Sequence, residues 1–107
     1  MKAPAPIALI ENHRAEIAEL CRRFGVDRLD VFGSAARGDF ELGRSDVDLV
    51  VRFAQPGEPG YADRYLAFAE ALEGMFGCRV DLITERSLRN PYLIEQIEAD
   101  RLNLYAA

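Results

Sequence analysis

The period of the apolar positions changes several times along the chain, and each change marks an element. Ile7, Ile10, Ile17, Leu20, Cys21 and Phe24 recur at the spacing of one helical face, while Glu11, Arg14, Glu16, Glu19, Arg22 and Arg23 fill most positions between them. Gly25 follows, where a left-handed residue ends a helix at little cost. Arg28–Phe32 (RLDVF) predicts a short strand stopping at Gly33-Ser34. Residues 35–45 (AARGDFELGRS), with two glycines and mixed charge, predict a turn or a short helical start. Asp46–Phe53 (DVDLVVRF) is the clearest strand, and the close run of Val47, Leu49, Val50 and Val51 suggests that it is covered on both faces.

Gln55–Gly60 (QPGEPG) is a loop by its prolines and glycines. Ala62–Phe76 then predicts a helix with Tyr65, Leu66, Phe68, Ala69, Leu72, Met75 and Phe76 on a broad apolar face, capped by Gly77. Arg79–Thr84 (RVDLIT) reads as a third strand, and Ser87–Arg89 as the start of a helical segment. Asn90-Pro91 fits an N-cap with proline at the first helical position, and the helix runs to about Asp100. The closing LNLYAA reads as a short edge strand or a docked tail. A small sheet flanked by helices, an α/β (α+β) domain, is the expected fold class.

The length, 107 residues, suits one domain spanning 1–107 that can bury a core without disulfides. No apolar run reaches the length of a membrane span, and the N-terminus, MKAPAP, reads as a loose lead-in without a signal-peptide core. A cytoplasmic protein is expected. The net charge of −5 and the scattered basic residues argue against stable nucleic-acid binding, which draws its affinity from clustered Lys and Arg. Cys21 and Cys78 read as buried reduced thiols, and His13, the one histidine, has no companions at zinc-ligand spacing.

Candidate chemistry concentrates at Ser45-Asp46-Val47-Asp48-Leu49. Alternate residues of a strand share a face, so Asp46 and Asp48 point the same way, and two such carboxylates need a compensating cation. Asp81, between Val80 and Leu82 in the third strand, adds a third carboxylate. Together they would offer oxygen ligands to one or two Mg²⁺ ions, an arrangement that stabilises the attacking and leaving oxygens of a phosphoryl-type displacement. Gly33-Ser34, at the end of the first strand, allows a close backbone approach and supplies a hydroxyl for phosphate oxygens.

Val31-Phe32-Gly33-Ser34-Ala35-Ala36-Arg37-Gly38-Asp39 followed by Ser45-Asp46-Val47-Asp48-Leu49 resembles the signature of the polymerase-β-like nucleotidyltransferases, and is most similar to their minimal nucleotidyltransferase (MNT) domains. Val80-Asp81-Leu82 matches the place of that family's third carboxylate. The resemblance implies the polymerase-β-like fold, a small mixed β-sheet flanked by helices, and transfer of a nucleotide from a triphosphate to a hydroxyl. Carried over by position, Asp46, Asp48 and Asp81 are catalytic and hold the metal, two Mg²⁺ ions or Mn²⁺ in their place, and Asp81 is also placed to accept the nucleophile's proton. Gly33 and Ser34 hold the triphosphate, with Arg37 and Arg44 neutralising its charge. Free-standing MNT domains commonly serve as antitoxins whose partner is a HEPN-domain ribonuclease toxin, which they modify with AMP from ATP on a tyrosine.

Other readings stay open on the residues alone. Arg37 also reads as a surface residue paired with Asp39 or Glu41. Tyr61, Tyr65, Phe68 and Phe76 read as core, with one of them an alternative base-stacking platform, and Tyr92 and Tyr105 read as packing residues. The domain could neutralise a toxin by binding alone, or transfer a nucleotide to a small molecule. The three mutually repelling carboxylates favour a transferase, because a pure binder has no use for them.

Overall fold

The computed structural model describes residues 9–38 and 44–107, so the lead-in, Ile7, Asp39 and Glu41 lie outside the described residues. In chain order the elements are α1 (Arg14–Arg23), β1 (Val26–Phe32), α2 (Gly33–Arg37), β2 (Val47–Phe53), α3 (Tyr61–Phe76), β3 (Val80–Thr84), a 3₁₀ turn (Glu85–Ser87), α4 (Pro91–Asp100) and β4 (Leu102–Ala106). The strands form one mixed sheet in the order β3-β2-β1-β4, with β1 antiparallel to both β2 and β4, and β2 parallel to β3.

The two faces of the sheet are covered differently. Leu29 and Val31 of β1, with Val47, Leu49, Val51 and Phe53 of β2, point to one face, where Ile17 and Cys21 of α1 and Phe68, Leu72 and Phe76 of α3 close the main core. Phe32 and Val50 point to the opposite face and meet Ile97 of α4 in a smaller cluster. This double cover accounts for the nearly unbroken apolar run of β2.

Several expected boundaries move. The helix expected to begin at Ile7 is interrupted at 12–13, where the His13 N–H bonds to the Ile10 carbonyl (3.0 Å) and Nδ1 to the Leu9 carbonyl (2.8 Å). β1 starts at Val26, two residues early, because Ala54 closes the start of the β1–β2 pair with a bond from its N–H to the Gly25 carbonyl (2.9 Å). The segment expected at Ser87 is instead the 3₁₀ turn at Glu85–Ser87. Asn90 does cap α4, accepting from the Tyr92 and Leu93 N–H groups, with Pro91 at its first position.

Tyr92 corrects the packing expectation. It is 81% exposed, since α4 turns Leu93 and Ile97 toward the sheet and Tyr92 lies about 100° around the helix from Leu93. Phe68 and Phe76 are buried as expected, whereas Tyr61 and Tyr65 are half-buried at the edge of the core. Cys21 and Cys78 are both free thiols, and burial pushes the Cys21 thiol up to about 12.

Candidate active site

The carboxylates gather where β1 ends and β2 begins. Strand register makes Phe32 the partner of Asp48 and Asp48 the partner of Asp81, so Gly33, Asp48 and Asp81 mark a row across three adjacent strands. Register partners share a face, which sets the Asp48 and Asp81 side chains beside each other one strand spacing apart, about 4.8 Å. Asp46 lies just ahead of β2, where Val47 begins its pairing through a bond to the Arg79 carbonyl (2.9 Å).

Gly33 is there for two physical reasons. Its φ is +72°, in the left-handed region, and a Cβ built on it would overlap the Asp48 carboxylate, at 3.1 Å from Cγ. Any side chain at 33 would therefore evict Asp48 from its place. Ser34, half-buried, follows in the first turn of α2, and Arg37 ends that short helix.

The electrostatics are those of an under-compensated acidic pocket. Burial, then the charges of Asp81 and Asp46, together raise the Asp48 carboxyl to about 6 against the opposing pull of Arg37. Asp46 lies 3.4 Å from the largely exposed Arg79. As the side chains lie, no three His, Cys, Asp or Glu among the described residues converge closely enough to hold an ion. The donor chemistry nevertheless fits a hard divalent cation: the three acidic side chains offer carboxylate oxygens, and the repulsion that helps raise Asp48 is what such a cation relieves.

Arg37 Nη1 donates to Asp100 Oδ2 (2.7 Å) at the C-terminal end of α4, while remaining close enough to Asp48 to oppose its protonation. Its expected partners Asp39 and Glu41 lie outside the described residues. Arg44 is exposed on the approach to Ser45.

Two features were not visible in the sequence. Tyr65 of α3 donates its hydroxyl to the Leu82 carbonyl, next to Asp81, and burial followed by the Asp81 charge raises its pKa. Asp30, wholly buried in β1, receives bonds from Arg101 (2.7 Å), Asn103 (2.8 Å) and Arg28 (3.1 Å). An aspartate centred in an apolar strand was the one signal for the second; nothing local announced the first.

Residues 15–104 match the family model described as "Nucleotidyltransferase domain". The chain is 37% identical to a Methanocaldococcus jannaschii protein named "Putative protein adenylyltransferase MJ1379", over 80% of this chain and 92% of that one. It is 36% identical to the "Protein adenylyltransferase MntA" of Thermococcus cleftensis, over 78% and 77% of the two chains. Among solved structures it resembles one described as a "putative minimal nucleotidyltransferase" (39% identity, TM-score 0.69, 86% of this chain and 89% of that one). It also shares its fold with a chain of a crystal structure described as "the toxin-antitoxin with AMP-PNP" (23% identity, TM-score 0.68, 88% of this chain and 73% of that one). The same holds for a complex of a tri-AMPylated Shewanella oneidensis HEPN toxin with an MNT antitoxin (20% identity, TM-score 0.64, 92% and 73%).

Proposed function

Because this chain belongs to the nucleotidyltransferase domain family, we propose that it is a cytoplasmic antitoxin that transfers AMP from ATP to a tyrosine hydroxyl of a HEPN-type toxin. The observation that carries the reading is the row of Gly33, Asp48 and Asp81 across three strands. It sets the Gly33 turn beside a carboxylate whose pKa burial and then its acidic neighbours raise, with a third carboxylate at the sheet edge, an arrangement that supports a phosphate at that turn. The adenylyltransferase relatives and the HEPN-toxin complex among the fold's neighbours support a protein as the acceptor.

In this reading the Gly33 and Ser34 backbone N–H groups and the Ser34 hydroxyl hold the β- and γ-phosphates, and Arg37 and Arg44 offset their charge. A divalent cation such as Mg²⁺, held by Asp46, Asp48 and Asp81, would supply charge neutralisation at the α-phosphate and the leaving group. The acceptor oxygen bonds to the α-phosphorus, the bond from that phosphorus to the α–β bridging oxygen breaks, and pyrophosphate leaves. The hydroxyl proton passes to the Asp81 carboxylate, exposed and adjacent, and from there to water. The products are the AMP ester, pyrophosphate and a proton.

The test is co-expression with a HEPN-domain protein from the same genome, followed by intact-mass measurement of that protein. One or more added AMP units with the unaltered chain, and none with the Asp46→Asn, Asp48→Asn double variant, is the expected result. An unchanged mass with toxicity suppressed by both versions overturns it and leaves an antitoxin that acts by binding alone.

A further inference from the structure

Beyond β3, at the outer edge of the sheet, lies an apolar groove of about 550 Å³ walled by Tyr61, Tyr65 and Leu66 of α3 and by Leu82, Ile83 and Ser87 on the β3 side. Among the described residues, no element pairs with this edge of β3. Arg79 accepts from β2 through its carbonyl, so alternation turns the even-numbered groups of β3 outward. Three of these outward groups are already occupied by side chains. Glu73 accepts from the Val80 N–H (3.1 Å), the Tyr65 hydroxyl donates to the Leu82 carbonyl, and Ser87 Oγ donates to the Thr84 carbonyl (2.9 Å). An added strand would meet three of the outward groups already engaged, which disfavours strand pairing while the groove beside it stays open to side chains.

The row across the sheet says what enters it. Displacement at phosphorus sets the attacking and leaving oxygens roughly in line. With the phosphates of the leaving pyrophosphate at Gly33-Ser34, on the β1 side, the attacking hydroxyl comes from the β3 side, past Asp81. The oxygen that carries the nucleoside is equatorial in that arrangement and departs across the row rather than along it. The β3 edge next to Asp81 therefore belongs to the acceptor and not to the base; Asp81 itself faces away from α3, and the groove begins one residue further along the strand, at Leu82. Leu66, 57% exposed on the groove wall, gives that space an apolar anchor point on the surface of a chain whose net charge is −5.

We propose that this groove docks the acceptor-bearing segment of the protein substrate, which sets an apolar or aromatic side chain between α3 and the β3 edge and so delivers its hydroxyl to Asp81. This rests on the protein-transferase reading above. Bond making and breaking are those already given; the groove adds binding alone, and it recognises side chains rather than a paired backbone.

The experiment uses two substitutions at exposed groove positions, Leu66→Ser to remove the anchor and Ala62→Phe to fill the space. Each is combined with the co-expressed or purified HEPN-domain protein. AMP transfer is followed by intact mass, affinity for AMP-PNP by calorimetry, and folding by thermal melting. The expected result is a rise of tenfold or more in KM for the protein acceptor, with AMP-PNP affinity within twofold of the unaltered chain and an unchanged melt. Transfer at the original KM in both variants overturns the groove alone. Loss of AMP-PNP affinity in a folded variant also overturns it, since the groove would then hold the nucleotide. If the unaltered chain transfers no AMP to any protein, the transferase reading falls and takes this one with it.

Discussion

Asp30 and Asp48 sit on the same face of the sheet, two residues out of register, and differ in almost everything else. Asp30 is the more deeply buried, at 0% exposure, yet every direction it faces offers a donor: Arg28, Arg101 and Asn103 converge on its two oxygens. On the other side of that contact, burial opposes the charge of Arg101, but hydrogen bonds with Asp30 and Glu98 outweigh it and raise its pKa. Asp48 is only half-buried, yet burial and the charges of Asp81 and Asp46, which Arg37 only partly offsets, push its carboxyl up to about 6. Burial by itself does not mark a working carboxylate. What separates the two is whether the surrounding chain supplies the compensating charge, as it does for the aspartate that ties β1 to β4, or leaves it to be supplied from outside, as it does for the aspartate at the head of β2.

The largest effect that could break this comparison is loss of stability at Asp30. Arg101→Ala strips a buried carboxylate of its closest partner and is expected to cost about 3–5 kcal/mol, lowering Tm by roughly 12 °C or more. Thermal or urea denaturation reads it, and a loss under 1 kcal/mol would mean that Asp30 is no more structural than Asp48. Asp48→Asn is expected to do the opposite. AMP transfer should fall about 10²–10³-fold or further, while Tm of the protein in chelator stays level or rises, because a repelling charge has been removed. A fall in Tm comparable to that of Arg101→Ala would erase the distinction.

Gly33→Ala sharpens the comparison from the neighbouring side. Left-handed backbone costs a residue with a Cβ roughly 1–2 kcal/mol, and the added methyl displaces the Asp48 carboxylate. Stability and AMP-PNP affinity should therefore drop together. Gly74→Ala, in α3 with open space around it, is the control and is expected to raise stability by about 0.5–1 kcal/mol. An effect of similarly small size is the pH dependence. Asp48 titrates from 3.8 in the unfolded chain to about 6 in the folded one. Folding thus favours its protonated form, and the stability this contributes is full below about pH 4 and lost as pH rises through 6. Partial exposure limits it to about 1 kcal/mol. In chelator, the difference in Tm between Asp48→Asn and the unaltered chain should widen from pH 4 to pH 7; a constant difference would mean that Asp48 is not under-compensated.

The catalytic candidates were legible in the sequence because their chemistry is local. Gly33-Ser34 terminates one strand, Asp46 and Asp48 alternate at the head of the next, and Asp81 is flanked by apolar residues in a third, so period and turn chemistry were enough to single them out. Double cover of β2 could be read the same way, from the close run of Val47, Leu49, Val50 and Val51. The ends of elements were less legible: His13 interrupts the first helical pattern through bonds to Leu9 and Ile10 that periodicity does not reveal.

By itself, then, the sequence determined the alternation of helices and strands, the family, and which carboxylates could form a site. Only the tertiary structure decided that β4 returns beside β1 to bring Arg101 and Asn103 to Asp30, that Asp100 reaches Arg37 from 63 residues away, and that β3 is an outer edge with three of its outward groups engaged by Tyr65, Glu73 and Ser87. The physical reason is the range of the interactions. Backbone preference and side-chain period act within a few residues, whereas strand register and the pairing of buried charges are set by which distant segments share a core, a choice made jointly by the whole chain.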